Sequence, residues 1–184
     1  MKNSFKYIRE SQLTFAELML PSHSNFSGKI HGGHILKLMD QIAFACASKH
    51  SGHYCVTASV NKVDFLNPID VGELVTLKAS VNFTGKTSMV VGVRVESENI
   101  KTGTKKHCNS SYFTMVAKDE SGNSVAVPGL ILVTEDEVRR FTRSIVRQKE
   151  GKNRNSRFST EAFKIEEYTD LLADSNSTIE WTDQ

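Results

Sequence analysis

Tryptophan occurs once and proline and cysteine three times each among the 184 residues. No stretch approaches the roughly 20 consecutive apolar residues that a membrane helix needs. The cysteines, Cys46, Cys55 and Cys108, are an odd number at wide spacings with no C-x-x-C pair, so nothing suggests a zinc site or a dithiol redox centre. All three read as small core or interface residues of a protein from a reducing compartment. Excess charge is also missing: 23 Lys and Arg against 21 Asp and Glu leave a formal +2, without the basic surplus of a nucleic-acid binder. Met1 to Leu20 scatters Lys2, Lys6, Arg9, Glu10 and Glu17 among its apolar residues, so no signal-peptide core is expected there. The expectation is a cytoplasmic globular protein with no membrane and no nucleic-acid partner.

What is present is patterned. Ser11 to Leu20 predicts a first strand, closed by Pro21. Gly32-Gly33 then opens a run, His34 to Lys49, in which Ile35, Leu38, Met39, Ile42, Ala43 and Cys46 recur at helical spacing. Leu36, Phe44, Ala45 and Ala47 make this helix apolar nearly all round, so it is expected in the middle of the domain. Four strand-like runs follow, near Tyr54 to Phe65, Leu74 to Phe83, Thr87 to Glu98 and Lys105 to Val116, with a last short strand over Ser124 to Val127. Alternation is clearest in Met89, Val91, Val93 and Val95. One apolar helix followed by an antiparallel meander is an α+β pattern in which the sheet can wrap around the helix. Edge-to-edge dimerisation would cover what one helix leaves bare. After Pro128, Thr134 to Gln148 has helix character, with acids in its first turn and Arg139, Arg143 and Arg147 on one face; beyond it the chain turns polar, as a flexible tail would.

Chemistry concentrates in Asn25-Phe26-Ser27-Gly28-Lys29-Ile30-His31-Gly32-Gly33 and the helix behind it. A Gly-Gly pair at a helix start lets a ligand approach closely and leaves backbone N–H groups directed outward at the positive end of the helix dipole, suited to polarising a carbonyl. Asp40 sits among Leu38, Met39, Ile42 and Ala43. As a buried carboxylate it would need a partner or a function; solvation on an exposed sliver by Lys37, His34 or Gln41 is the bland alternative.

Taken in order, Asn25, Gly28, Gly32, Gly33 and Asp40, then Val56-Thr57-Ala58-Ser59-Val60, Phe65-Leu66-Asn67-Pro68-Ile69, Val71-Gly72-Glu73 and Thr84-Gly85-Lys86-Thr87-Ser88, resemble the cytosolic acyl-CoA hydrolases of the hotdog superfamily, bacterial short-chain and vertebrate brain-type, from about residue 10 to about 148. The resemblance implies a hotdog domain over 1–133, an antiparallel sheet around one long helix, followed by a C-terminal helix over 134–150 and a tail over 151–184. It implies an acyl-CoA thioesterase with Asn25 and Asp40 as catalytic pair and the Gly33 N–H as carbonyl polariser beside Gly32. Thr57, Ala58 and Ser59 and the hairpin Gly85, Lys86, Thr87 and Ser88 would line the pantetheine and nucleotide path, and Arg139, Arg143 and Arg147 would meet CoA phosphates. His31 falls where relatives vary. No cofactor or metal is implied, CoA being part of the substrate, and the implied assembly is a homodimer, then a trimer of dimers.

Gly33 and Asp40 are seven residues apart, about 10 Å along a helix, too far to flank one thioester carbon readily. A partner's Asp40 could meet Asn25 and Gly33 of the first chain, as the family implies. Asp40 would then act as general base for water, with attack by Asp40 itself through a mixed anhydride left open. The rival readings are an enoyl-CoA hydratase using His31 or His34, and a non-catalytic acyl-CoA sensor.

Overall fold

Gly32–Ser51 forms the long helix α1, and both its ends carry the stops that helices need. His31, in extended conformation, is the N-cap; Gly52 closes the C-terminus at φ 75°, a left-handed conformation that glycine adopts without strain, and donates its N–H to Ser48 O at 2.8 Å. Ile35, Leu38, Met39, Ile42, Ala43 and Cys46 bury one face, while Lys37, Asp40, Gln41, Phe44 and Ala45 stay exposed on the other. The helix is thus not enclosed on every side, as its composition suggested, because one sheet can cover only one of its faces.

The computed structural model describes residues 4–157 and, beyond them, residues 164 and 170. The chain divides into two compact units, Met1–Ser144 and Ile145–Gln184. The first holds α1 and seven strands: β1 (Phe5–Tyr7), β2 (Leu13–Leu18), β3 (Tyr54–Val60), β4 (Leu74–Thr84), β5 (Ser88–Asn99), β6 (Thr104–Lys118) and β7 (Gly129–Ile131). A second helix, α2 (Glu135–Arg157), crosses the division and runs seven residues past the expected end at 150; the rest of the expected tail, apart from those two residues, lies outside the described residues. Among the described residues no helix is long and apolar enough to cross a membrane.

Five strands make one antiparallel sheet in the order β2-β4-β5-β6-β3. Val75, Leu77, Ala79 and Val81 of β4 and Met89, Val91, Val93 and Val95 of β5 alternate onto the face that packs against α1, with Phe113 and Met115 of β6. Each of these valine, leucine, methionine and phenylalanine side chains contributes about 1.5–3 kcal/mol by leaving water. This is the α+β wrap that the pattern predicts. The sheet edges are β2 and β3. After β3 the chain follows β6 as an irregular segment: Asn61 N–H donates to Tyr112 O at 3.0 Å and Leu66 N–H to Cys108 O at 2.8 Å. The strand run expected to reach Phe65 therefore ends at Val60.

Two small elements differ from expectation. Residues 124–127 form no strand, because their donors go to two different segments, Val125 N–H to Ala117 O and Val127 N–H to Lys86 O. The last strand is instead β7, which pairs in parallel with β1 in a separate two-stranded sheet. His50, fully buried, ties these ends to α1: Nε2 lies 3.1 Å from Pro128 O, Nδ1 lies 3.3 Å from Ser11 Oγ, and Lys6 Nζ donates to His50 O at 2.7 Å. A carbonyl only accepts, so Nε2 carries the proton of the neutral ring. Burial pushes the imidazole below its usual titration range.

Candidate active site

Asn25 lies in the exposed turn before α1, and its side chain holds that turn together. Its Oδ1 accepts from Ser27 N at 3.0 Å, Ser27 Oγ at 2.8 Å and Lys29 N at 3.1 Å. Gly28, at φ 76°, closes the turn by donating to Asn25 O at 3.0 Å. The oxygen is thereby committed to the loop, and the Nδ2 amino group is the end that can meet a ligand. Lys29 anchors the turn through Nζ to Asp70 Oδ1 at 2.5 Å, which holds the Asp70 carboxyl below its ordinary range.

The two glycines at the helix start are each covered by a ring. A Cβ on Gly32 would stand 3.1 Å from the Phe65 ring, and one on Gly33 3.0 Å from His31 Nδ1. The Gly33 N–H is not free, contrary to expectation: it donates to His31 Nδ1 at 2.9 Å. Phe65, 55% exposed, stands beside this junction; the family resemblance implies no role for it, and His31 falls where relatives vary. Only folding brings Phe65 onto Gly32, so no local signal could have assigned its place.

Asp40 is exposed, not buried, in the single chain, and sits on the face of α1 that the core leaves open. Its partner is Thr57, whose Oγ1 donates to Asp40 Oδ1 at 2.6 Å. The register of β3 shifts between Thr57 and Ser59, a bulge at Ala58 of the kind that re-aims side chains beside functional sites. Thr57, Ala58 and Ser59 are all exposed along this edge strand. The predicted Asp40 and Thr57 thus meet directly, while Gly33 lies two turns away at the start of the helix and Asn25 in the turn that precedes it.

The hairpin Gly85, Lys86, Thr87 and Ser88 is closed by Gly85 N–H to Ser88 O at 2.7 Å, with Lys86 exposed at its tip. On α2, Arg139 is bound to Asp136 and Arg140 Nε lies 2.7 Å from Asp136 Oδ2, so the first of the three predicted arginines already has a carboxylate partner on its own helix. Such exposed pairs hold weakly. Arg143 is exposed, and Arg147 lies in the second unit. All three cysteines are free and buried, and burial pushes the Cys46 thiol up to about 12, which suits packing and not nucleophilic attack.

A further cluster has no signature in the sequence, because its members come from three separate segments. His34 Nε2 is 3.1 Å and His23 Nδ1 3.8 Å from Glu17 Oε1, and the two rings stack with centroids 3.9 Å apart and planes at 18°. Imidazole lone pairs lie in the ring plane, so rings this nearly parallel do not converge on one ion; the group fastens the turn bearing Asn25 to β2 and α1.

Residues 27–104 match the family described as the thioesterase superfamily. Protein VdlD of Helicobacter pylori is 41% identical over 138 residues, 75% of this chain and 79% of that protein. A Bacillus subtilis protein named as an uncharacterized acyl-CoA thioester hydrolase, YkhA, is 34% identical over 81% of this chain and 87% of its own. Among solved structures, an apo-hexameric acyl-CoA thioesterase superposes with TM-score 0.80 at 38% identity, over 82% of this chain and 97% of that one. An acyl-CoA hydrolase of Staphylococcus aureus does so with TM-score 0.80 at 27% identity, over 95% and 100%, as an Asn-to-Ala variant in complex with coenzyme A; Asp-to-Ala and Thr-to-Ala variants of it are also known. The chain belongs to the thioesterase superfamily, as an α+β hotdog protein.

Proposed function

We propose that the protein hydrolyses acyl-CoA thioesters to fatty acid and CoA, at sites that take Asn25 and Gly33 from one copy and Asp40 from a second. The observation that carries this is the Asp40–Thr57 pair: an exposed carboxylate with Oδ1 held at 2.6 Å by a hydroxyl and Oδ2 available to a water. The three residues replaced in the S. aureus hydrolase are spaced 15 and 17 apart, the spacing of Asn25, Asp40 and Thr57 here.

In the first step the thioester carbonyl accepts from the Gly33 N–H at the positive end of α1, with the Asn25 amino group beside it. Asp40 takes a proton from water, whose oxygen bonds to the carbonyl carbon. The tetrahedral intermediate then collapses, the C–S bond breaks, and the CoA thiolate recovers the proton from Asp40. Thr57 to Ser59, the hairpin Gly85 to Ser88 and the arginines Arg139 and Arg143 would contact the CoA portion.

The two-copy site is supported by the open edge of β3. Its unpaired backbone groups can continue the sheet into a second β3, and exposed Phe44 and Tyr54, whose rings meet edge to face at 5.5 Å, lie along the same side. Hexameric relatives support a trimer of such dimers. Free buried thiols and a CoA-linked substrate fit the cytoplasm.

Thiol release from saturated acyl-CoA, followed beside hydration of enoyl-CoA, tests the reaction. Asp40→Asn should retain acyl-CoA binding while kcat falls roughly 10²–10⁴-fold. Hydration without thiol release would replace this reading by the hydratase, and unchanged turnover would remove Asp40 from it.

A further inference from the structure

The donor on which the proposed chemistry depends is already engaged. The Gly33 N–H points at His31 Nδ1, 2.9 Å away, and the imidazole lies over the glycine where a side chain would otherwise stand. The His31 backbone is fixed on both sides: its N–H donates to His23 O at 2.9 Å, and its carbonyl accepts from His34 N at 2.9 Å. Its side chain is exposed, so the ring can swing into solvent without disturbing the helix start. Phe65, resting on Gly32, would remain as the neighbouring wall.

One N–H makes one good hydrogen bond, and an imidazole nitrogen and a carbonyl oxygen cannot both receive it well. We propose that His31 is a displaceable cap on the carbonyl-polarising donor. In the empty site it satisfies the Gly33 N–H; as the thioester arrives, the carbonyl oxygen replaces Nδ1 and the ring turns out. This rests on the reading of Gly33 as the carbonyl donor. His31 acts through Gly33 and is a positioning residue. The cap stabilises the empty state and is absent from the bound state, so it weakens recognition of the carbonyl by what it contributes to the empty protein.

The sign of that effect is opposite to that of an ordinary binding residue. In His31→Ala the empty site loses its cap, and affinity for a carbonyl-bearing ligand should rise by about 5-fold, the typical worth of an N-cap side chain over alanine. His31→Asn supplies an oxygen acceptor suited to the N-cap and should behave as the unaltered protein does.

Two non-hydrolysable ligands isolate the effect: an S-(2-oxoalkyl)-CoA, which keeps a carbonyl, and the S-alkyl-CoA of the same length, which lacks one. Calorimetric titration gives the preference for the ketone in each protein. We expect that preference to be about 5-fold larger in His31→Ala than in the unaltered protein or in His31→Asn. General loosening of the helix start would weaken both ligands together and leave the ratio unchanged, which would overturn the cap while leaving Gly33 as donor. If none of the three proteins prefers the ketone, Gly33 is not the carbonyl donor, and both readings fall. Should His31→Ala not fold, NMR of the unaltered protein decides: the ketone ligand, and not the thioether, should shift the His31 Nδ1 resonance away from its hydrogen-bonded position, and equal shifts with both ligands would refute displacement.

Discussion

Replacing Thr57 by valine removes one hydroxyl and keeps the β-branched shape that suits strand β3. The hydroxyl donates to Asp40 at 2.6 Å, and its other neighbour, Met115 Sδ at 3.5 Å, is a weak acceptor. A hydrogen bond to a charged group contributes about 1.5–3 kcal/mol, and the exposure of Thr57 in the single chain places this one near the lower end. At about 1.4 kcal/mol for each factor of ten, losing it should lower kcat about 10- to 30-fold, because Asp40 no longer holds its oxygen in place. KM should change little, since the bond lies within the protein and valine keeps the branched shape that Thr57 presents to CoA. Steady-state thiol release from acyl-CoA measures both constants, and a thermal melt checks that β3 remains intact. Thr57→Ser keeps the donor and should restore most of the rate. Full activity in Thr57→Val, or a serine variant as slow as valine, would refute the argument that this hydroxyl orients Asp40.

Mixing Asn25→Ala with Asp40→Ala tests the two-copy site: each variant alone should be nearly inactive, and random exchange should restore about a quarter of the activity, because half the dimers are mixed and each mixed dimer has one intact site. No recovery with mixed dimers seen by mass spectrometry would place both residues in one chain. His50 predicts acid lability: its folded-state pKa is lowered, so its stabilising contribution is present above about 6.5 and is lost as the pH falls from there through the folded-state value. Thermal melts from pH 7.5 to 5 should show this fall, and His50→Gln should flatten it. A Cβ on Gly92 would stand 2.3 Å from Nδ2 of buried Asn82, so Gly92→Ala should destabilise by about 1–3 kcal/mol in urea unfolding, and Asn82→Ala in the same chain should recover part of it.

The long helix and the four main strands were legible because their signals are local. Helical spacing from Ile35 to Cys46 and alternation from Met89 to Val95 each lie within one element, and each reports a face that water must leave. Gly33 and Asp40 stood out from local pattern, as a Gly-Gly helix start and as the one acid in a largely apolar helical run, whereas Asn25 and Thr57 were legible as site residues only through resemblance. Asp40 shows the limit of pattern reasoning. Its apolar neighbours in sequence suggested burial, but a helix turns about 100° per residue, so Met39 faces the core while Asp40 faces outward.

The sequence by itself determined the class of fold, the order of its main elements and the loop-to-helix junction where chemistry could occur. Tertiary structure alone decided what each of those residues touches. Thr57 reaches Asp40 because β3 is the edge strand beside α1, and Phe65 covers Gly32 because the segment after β3 runs along β6. β1 pairs with β7, elements more than a hundred residues apart, and Glu17 gathers His23 and His34 from two later segments. Even the His31 cap, two residues from its partner, needed the structure, because one imidazole can face solvent or its own helix end and only the backbone geometry at the glycines admits the second. Contacts of this kind depend on how the sheet curls around the helix, a cooperative outcome of packing that no single stretch of sequence encodes.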